Sequence, residues 1–185
     1  MKDFDHILNW KLLGGSHVFP GKDGGTCINE AAIVAAGFAY QPVRNVKDMP
    51  SCFSRPICQL AMLLNDEARG RDRQRLLPFI TRLACADNDE IEQQRQTYIS
   101  SRMTRFMSLE RGIEILEGAL AIGRQADPIA LPDVEERMSV AKEEGSAATS
   151  NGDKPLSATV KHLLDAMAVC TENLIPLRGR ANRVS

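Results

Sequence analysis

By type and setting, Cys27 and His17 are the residues of this chain best suited to chemistry. Only a thiolate is a useful nucleophile, and the positive end of a helix lowers a cysteine pKa. Cys27 ends the glycine-dense run Gly14-Gly15-Ser16-His17-Val18-Phe19-Pro20-Gly21-Lys22-Asp23-Gly24-Gly25-Thr26 and opens an alanine-rich segment. His17 lies in the same loop, which is long enough to fold back and present an imidazole base. Glu30 stands one turn beyond the cysteine, and its negative charge opposes ionisation of the thiol. The sequence thus offers a catalytic Cys27–His17 pair, set against a small buried thiol at a helix start, since free cysteine is among the most buried residue types. The second of these is the favoured expectation.

The same loop offers a ligand cradle. Consecutive N–H groups at Gly24, Gly25 and Thr26, with the guanidinium of Arg55, could hold a carboxylate or phosphate. Lys22 comes too early for a Walker loop, whose lysine stands just inside the helix. An internal role is expected for Arg55, paired with Asp66 or Glu30. A metal centre would have to draw on Cys27, Cys52, Cys58, His17, Glu30 or Asp66. The Cys52–Cys58 spacing does not fit the short ligand loops of structural zinc, and there is no Cys-x-x-Cys. The sequence therefore calls for no metal and no cofactor.

These residues need elements to place them. Cys27 to Ala36 is apolar after Glu30, as in a central helix, with Thr26 as N-cap and Gly37 just past its end. Ser54-Arg55-Pro56 opens a second helix with Ile57, Leu60, Ala61 and Leu64 on its buried face, ending near Asn65-Asp66. A basic helix over 72–84 is kinked or split by Pro78. Asp87-Asn88-Asp89-Glu90 resembles a capping box before a helix from Asp89 to about Met107, with Ile91, Tyr98, Ile99, Met103 and Phe106 as its apolar face. Ser108 starts another, carrying Leu109, Ile113, Leu116 and Leu120. A short acidic helix over 133–144, a flexible stretch over 145–155 and a last helix from Ser157 with a basic tail complete the chain.

The chain has 185 residues, of which 43% are hydrophobic, 25% charged and only 5% aromatic. A core so poor in aromatics favours helices over sheets. The expected fold is all-α, an irregular bundle of about six helices around the buried 27–36 helix. The expected organisation is a core domain over 1–125, a Pro-rich acidic segment and linker over 126–156, and a terminal helix and tail over 157–185. The net charge of −1 gives no global attraction to nucleic acid. Arg69, Arg71, Arg73, Arg75 and Arg82 lie close to acids without aromatics to stack bases, so a solvated face is expected of them. Apolar runs fall short of the roughly 20 residues that span a bilayer. Five cysteines without a signal peptide imply reduced thiols in a cytoplasm.

Three blocks occur in a characteristic order: Gly24-Gly25-Thr26-Cys27-Ile28-Asn29-Glu30-Ala31-Ala32, Cys52-Phe53-Ser54-Arg55-Pro56-Ile57 and Leu64-Asn65-Asp66. In these, and in Leu77 to Leu83, the chain resembles a group of small bacterial proteins with no established activity. The resemblance covers roughly residues 14–110 and implies a bacterial origin. The favoured function is a cytoplasmic helical protein acting through contacts with another protein or with itself. A thiol-dependent enzyme using Cys27 with His17, and an anion or small-ligand site at the glycine loop, are the alternatives.

Overall fold

The alanine-rich segment forms the helix around which the others pack. In the computed structural model, which describes residues 11–17, 25–105 and 107–150, helix α1 spans Ile28–Ala35 and every one of its residues is buried. Gly37, at φ +89°, terminates it. Its N–H donates to Val34 O and that of Phe38 to Ile33 O, a double bond pattern that closes the last turn and needs a left-handed residue at this position.

A 3-10 turn, η1 (Val46–Asp48), precedes α2 (Arg55–Glu67), which carries Pro56 in its first turn. Next comes η2, a 3-10 helix over Gly70–Arg82. Pro78 within it has no N–H to donate and would clash with the carbonyl one α-turn back, so the α-helix expected over 72–84 does not form. Helix α3 spans Asp89–Arg102 behind the N-cap Asn88, and α4 spans Leu109–Leu120 behind the N-cap Ser108. Helix α5 runs Leu131–Ser150. α1 packs against η2, α2 and α5, while α2 also packs against α3 and α4. Among the described residues the fold is all-α, and the sole strand-like pairing is an isolated bridge between Leu12 and Thr26.

α5 differs from expectation. Val134 and Met138 are fully buried members of the core, and Arg137 donates to Ala35 O at 2.7 Å. A cation here meets an unpaired carbonyl and the negative end of the α1 dipole. The core thus extends beyond residue 125, and positions 145–150, expected as the start of a flexible stretch, continue the helix. Once a packed turn has nucleated a helix, further residues add to it at little cost. The chain divides into units Met1–Lys154 and Pro155–Ser185. The expected N-terminal apolar residues to Trp10, Gly24, Phe106, the helix from Ser157 and the basic tail lie outside the described residues.

Among the described residues no helix is long and apolar enough to cross a membrane. Close approach between α2 and α4 depends on Gly112, where an added Cβ would stand 2.2 Å from the Cδ2 of buried Leu64. Helix propensity alone predicts that Gly112→Ala stabilises by about 1 kcal/mol. Overpacking should win, and urea unfolding should show a net loss of about 1–2 kcal/mol. An unchanged or higher midpoint would contradict this packing.

Candidate functional site

The residues singled out for chemistry converge on one carboxylate, that of Glu30, which is 0% exposed. Its Oε1 accepts from the hydroxyl of Ser16 at 3.0 Å and the backbone N–H groups of His17 at 2.9 Å and Val43 at 3.1 Å. Its Oε2 accepts from the Thr26 hydroxyl at 2.8 Å and the Cys27 N–H at 2.9 Å, with His17 Nδ1 at 3.3 Å. Local sequence explains part of this. Cys27, not Thr26, is the N-cap of α1, and its Sγ accepts from the Glu30 N–H. The pair is a capping box in which cysteine stands where serine or threonine is usual. The remaining donors arrive from the loop before α1 and from the connection after it.

Burial works to raise the Glu30 pKa, but the hydrogen bonds from Cys27, His17, Thr26 and Val43 outweigh it and leave the carboxyl below its ordinary value. Such a group stays ionised at neutral pH and acts as a fixed acceptor. For Cys27 the balance is reversed. Burial, and after it the charge of Glu30, push the thiol pKa far up. Cys27 is 2% exposed, and among the described residues no hydrogen bond joins its sulfur to His17. Both residues of the catalytic pair offered by the sequence thus bind the same carboxylate. Burial likewise raises the Cys85 thiol to about 11 and Cys58 well above its usual range.

The ligand cradle fares similarly. The Thr26 N–H donates to Lys11 O and its carbonyl accepts from Leu13 N–H. A Cβ on Gly25 would fall 2.3 Å from Leu13 Cδ1, so this glycine admits the neighbouring chain segment. Gly24 lies outside the described residues. Arg55 pairs with neither Asp66 nor Glu30. Its guanidinium donates to Val46 O at 2.7 Å and Met49 O at 2.6 Å, holding η1 against α2. Asp66 instead accepts from the Gly15 N–H at 2.8 Å. Among the described residues no cluster of His, Cys, Asp and Glu could hold a metal.

Two features escaped the sequence reading. Arg95 is 0% exposed, and its guanidinium donates to Ile122 O, Cys85 O, Arg124 O and the carboxylate of Glu92. Glu92 also accepts from the hydroxyl of Ser54 and the N–H of Asp87. The second feature lies outward of this anchor, on α3. Glu90, Gln93, Gln94, Thr97, Tyr98, Ser101 and Arg102, with Ile122, line an open depression of about 540 Å³. The Arg102 guanidinium lies over the Tyr98 ring at 3.8 Å. The clue in the sequence was an absence of charge: from Gln93 to Ser101 the only ionic residue is the buried Arg95.

Comparison with family models, with curated proteins and with solved structures finds no match to this chain.

The Glu30 carboxylate gives a signed pH prediction. Its pKa is lowered by folding, so its contribution is present above the ordinary value of 4.5 and is lost as pH falls through the folded value. Glu30→Gln should lower stability at pH 7 by about 2–3 kcal/mol, because an amide nitrogen faces converging donors. Chemical denaturation of both proteins should show the gap narrowing below pH 4.5. A gap independent of pH, or none at pH 7, would contradict the assignment.

Proposed function

We propose that this protein is a non-enzymatic helical module that works through contact with another macromolecule, using the outward face of α3. The observation that carries the reading is the composition of that face. Exposed Gln93, Gln94, Thr97 and Ser101 surround half-buried Tyr98, in a chain whose residues are 25% charged. Contact surfaces are depleted of lysine and acids at their centre and enriched in tyrosine and arginine, and an uncharged polar group costs less to bury than an unpaired ion. Tyr98 is a stiff side chain already held by the Arg102 stack, so little freedom is lost when a partner covers it.

A protein partner fits better than a nucleic acid. On η2, Arg82 is paired with Glu117 and Arg75 with Glu110, and Arg73 is turned inward to Asn65 O and Ala68 O. Three of the arginines there are thus engaged within the protein, which leaves exposed Arg69 and Arg71 as a small charge for a phosphate backbone. The free thiols of Cys27, Cys52, Cys58 and Cys85 suit the reducing cytoplasm in which we place the protein, and the three sequence blocks suit a bacterial origin.

A photo-crosslinking amino acid at Thr97 in the full chain tests this reading in cells. Irradiation should yield covalent adducts of discrete protein mass, with none from the same probe at Glu136 on α5. Equal labelling at both positions, or no adduct at Thr97, would count against the α3 face.

A further inference from the structure

Residues 12–15, Leu-Leu-Gly-Gly, are held by the rest of the fold through their main chain, since these side chains offer no polar group. The Leu12 N–H donates to Gln74 Oε1 at 3.0 Å, and the Leu12 carbonyl accepts from Gln74 Nε2 at 2.9 Å. One side-chain amide of η2 thus does what a neighbouring strand does for a residue it pairs with. On the opposite edge the Leu13 N–H donates to Thr26 O and the Thr26 N–H to Lys11 O. From the end of α2, Asn65 Nδ2 donates to Leu13 O at 2.8 Å, and Asp66 Oδ1 accepts from the Gly15 N–H at 2.8 Å. Side chains decide what fits. Leu12 is fully buried in the core, while Gly14 and Gly15 are exposed. A Cβ on Gly14 would come 3.1 Å from Arg73 Nη2, and Gly15 holds φ +81°, a conformation that favours glycine. Main-chain bonds for grip and a pocket for selectivity are the means by which folds recognise extended peptides.

We propose that the slot framed by Thr26, Asn65, Asp66 and Gln74 is a recognition site for an extended peptide of the pattern Leu-Leu-Gly-Gly, and that the chain's own residues 12–15 occupy it as a tethered, displaceable ligand. Two observations favour exchange. Asn65 Oδ1, on the same amide that grips Leu13, is buried and has no hydrogen-bond partner among the described residues. The chain's own segment therefore leaves one acceptor of the slot unused, which costs free energy and makes it an imperfect occupant. The second observation is where the tether is fixed. The Ser16 hydroxyl and the His17 N–H are bound to Glu30, so residues 12–15 lift out while the brace around Glu30 stays in place. Because the slot bonds only to backbone over these four residues, a segment of another protein with the same small and apolar pattern makes the same contacts. This slot lies apart from the outward face of α3, and neither reading depends on the other.

A tethered ligand competes at an effective concentration of about a millimolar or more, so binding in trans is read in a full chain whose own segment is disabled. Leu12→Asp does this by making burial of position 12 unfavourable. The probe is a fluorescein-labelled synthetic peptide of residues 10–16, followed by fluorescence anisotropy. It should bind the Leu12→Asp chain with a Kd on the order of 100 μM, and the wild-type chain at least about tenfold more weakly. Adding Gln74→Ala to Leu12→Asp should weaken binding at least about tenfold, because both bonds to Leu12 are lost. A peptide that itself carries Leu12→Asp should not bind. Circular dichroism identifies a Leu12→Asp chain that fails to fold. In that event Gly15→Val replaces it, straining the exposed end of the segment through its positive φ where a Cβ meets nothing within 4 Å, with the same expected gain over wild type. In the wild-type chain, about 5 mM peptide should speed deuterium exchange at the Leu12, Leu13 and Gly15 amides and leave α1 protected. Absence of binding to a folded variant overturns the proposal, as does binding indifferent to Gln74→Ala or equal for the Asp-bearing peptide.

Discussion

A single ionised carboxylate, buried and saturated with donors, sets the geometry of the N-terminal half of the described fold. An unpaired charge at the depth of Glu30 would cost several kcal/mol or more, and it is tolerated because donors reach it from several chain segments at once. The donors at residues 16–17, 26–27 and 43 are thereby fixed relative to the start of α1. Tyr40 extends the same device by donating to His17 O at 2.9 Å. On the neighbouring position of α1, Asn29 donates to Cys58 O at 3.1 Å, so the brace continues into α2. The cysteine that opens the helix serves as a cap within this brace, and burial first, then the charge of Glu30, raise its thiol pKa.

A second polar anchor organises the other side of α2. Arg95 is a fully buried guanidinium, and its donors are taken up by three carbonyls and Glu92. It draws together the segment at Cys85, the turn at Ile122 to Arg124 and, through Glu92 and Ser54, the N-terminus of α2. Arg95 and Ile99 of α3 are buried, Tyr98 and Ile91 pack beside Gly118 and Gly123, and Gln93, Gln94, Thr97 and Ser101 are exposed. Position and outlook of the α3 face follow from this anchor. Fold and proposed function are connected at that point.

What the sequence disclosed, and what it hid, follows from the range of the interactions. Helix ends were legible where their determinants are local: Ser54 and Pro56, Ser108, and Gly37 after the alanine-rich segment. The N-cap of α1 was displaced by one residue because cysteine is a rare occupant of that role, although Cys27-x-x-Glu30 has the spacing of a capping box. Glu30 itself was legible only as a local charge opposing the thiol, since the donors at Ser16, His17 and Val43 come from outside its helix. α5 was underestimated because its core contacts are sparse, Val134 and Met138 one turn apart, and its tie through Arg137 reaches back to Ala35. Pairings so distant in sequence leave no periodic mark. Arg95 was hidden for a related reason: a charged residue reads as exposed unless its carbonyl partners can be seen.

The central claim is that the glycine-loop motif is an internal brace and no reactive centre. Site-resolved alkylation by iodoacetamide, read by mass spectrometry at Cys27 in the folded full chain, tests it most directly. The account predicts labelling at Cys27 at least about a hundredfold slower than in the unfolded protein near neutral pH, because burial and Glu30 keep the thiol protonated and covered. Fast labelling below the ordinary thiol pKa of about 8.5, slowed by His17→Ala, would contradict it and restore Cys27 as a nucleophile.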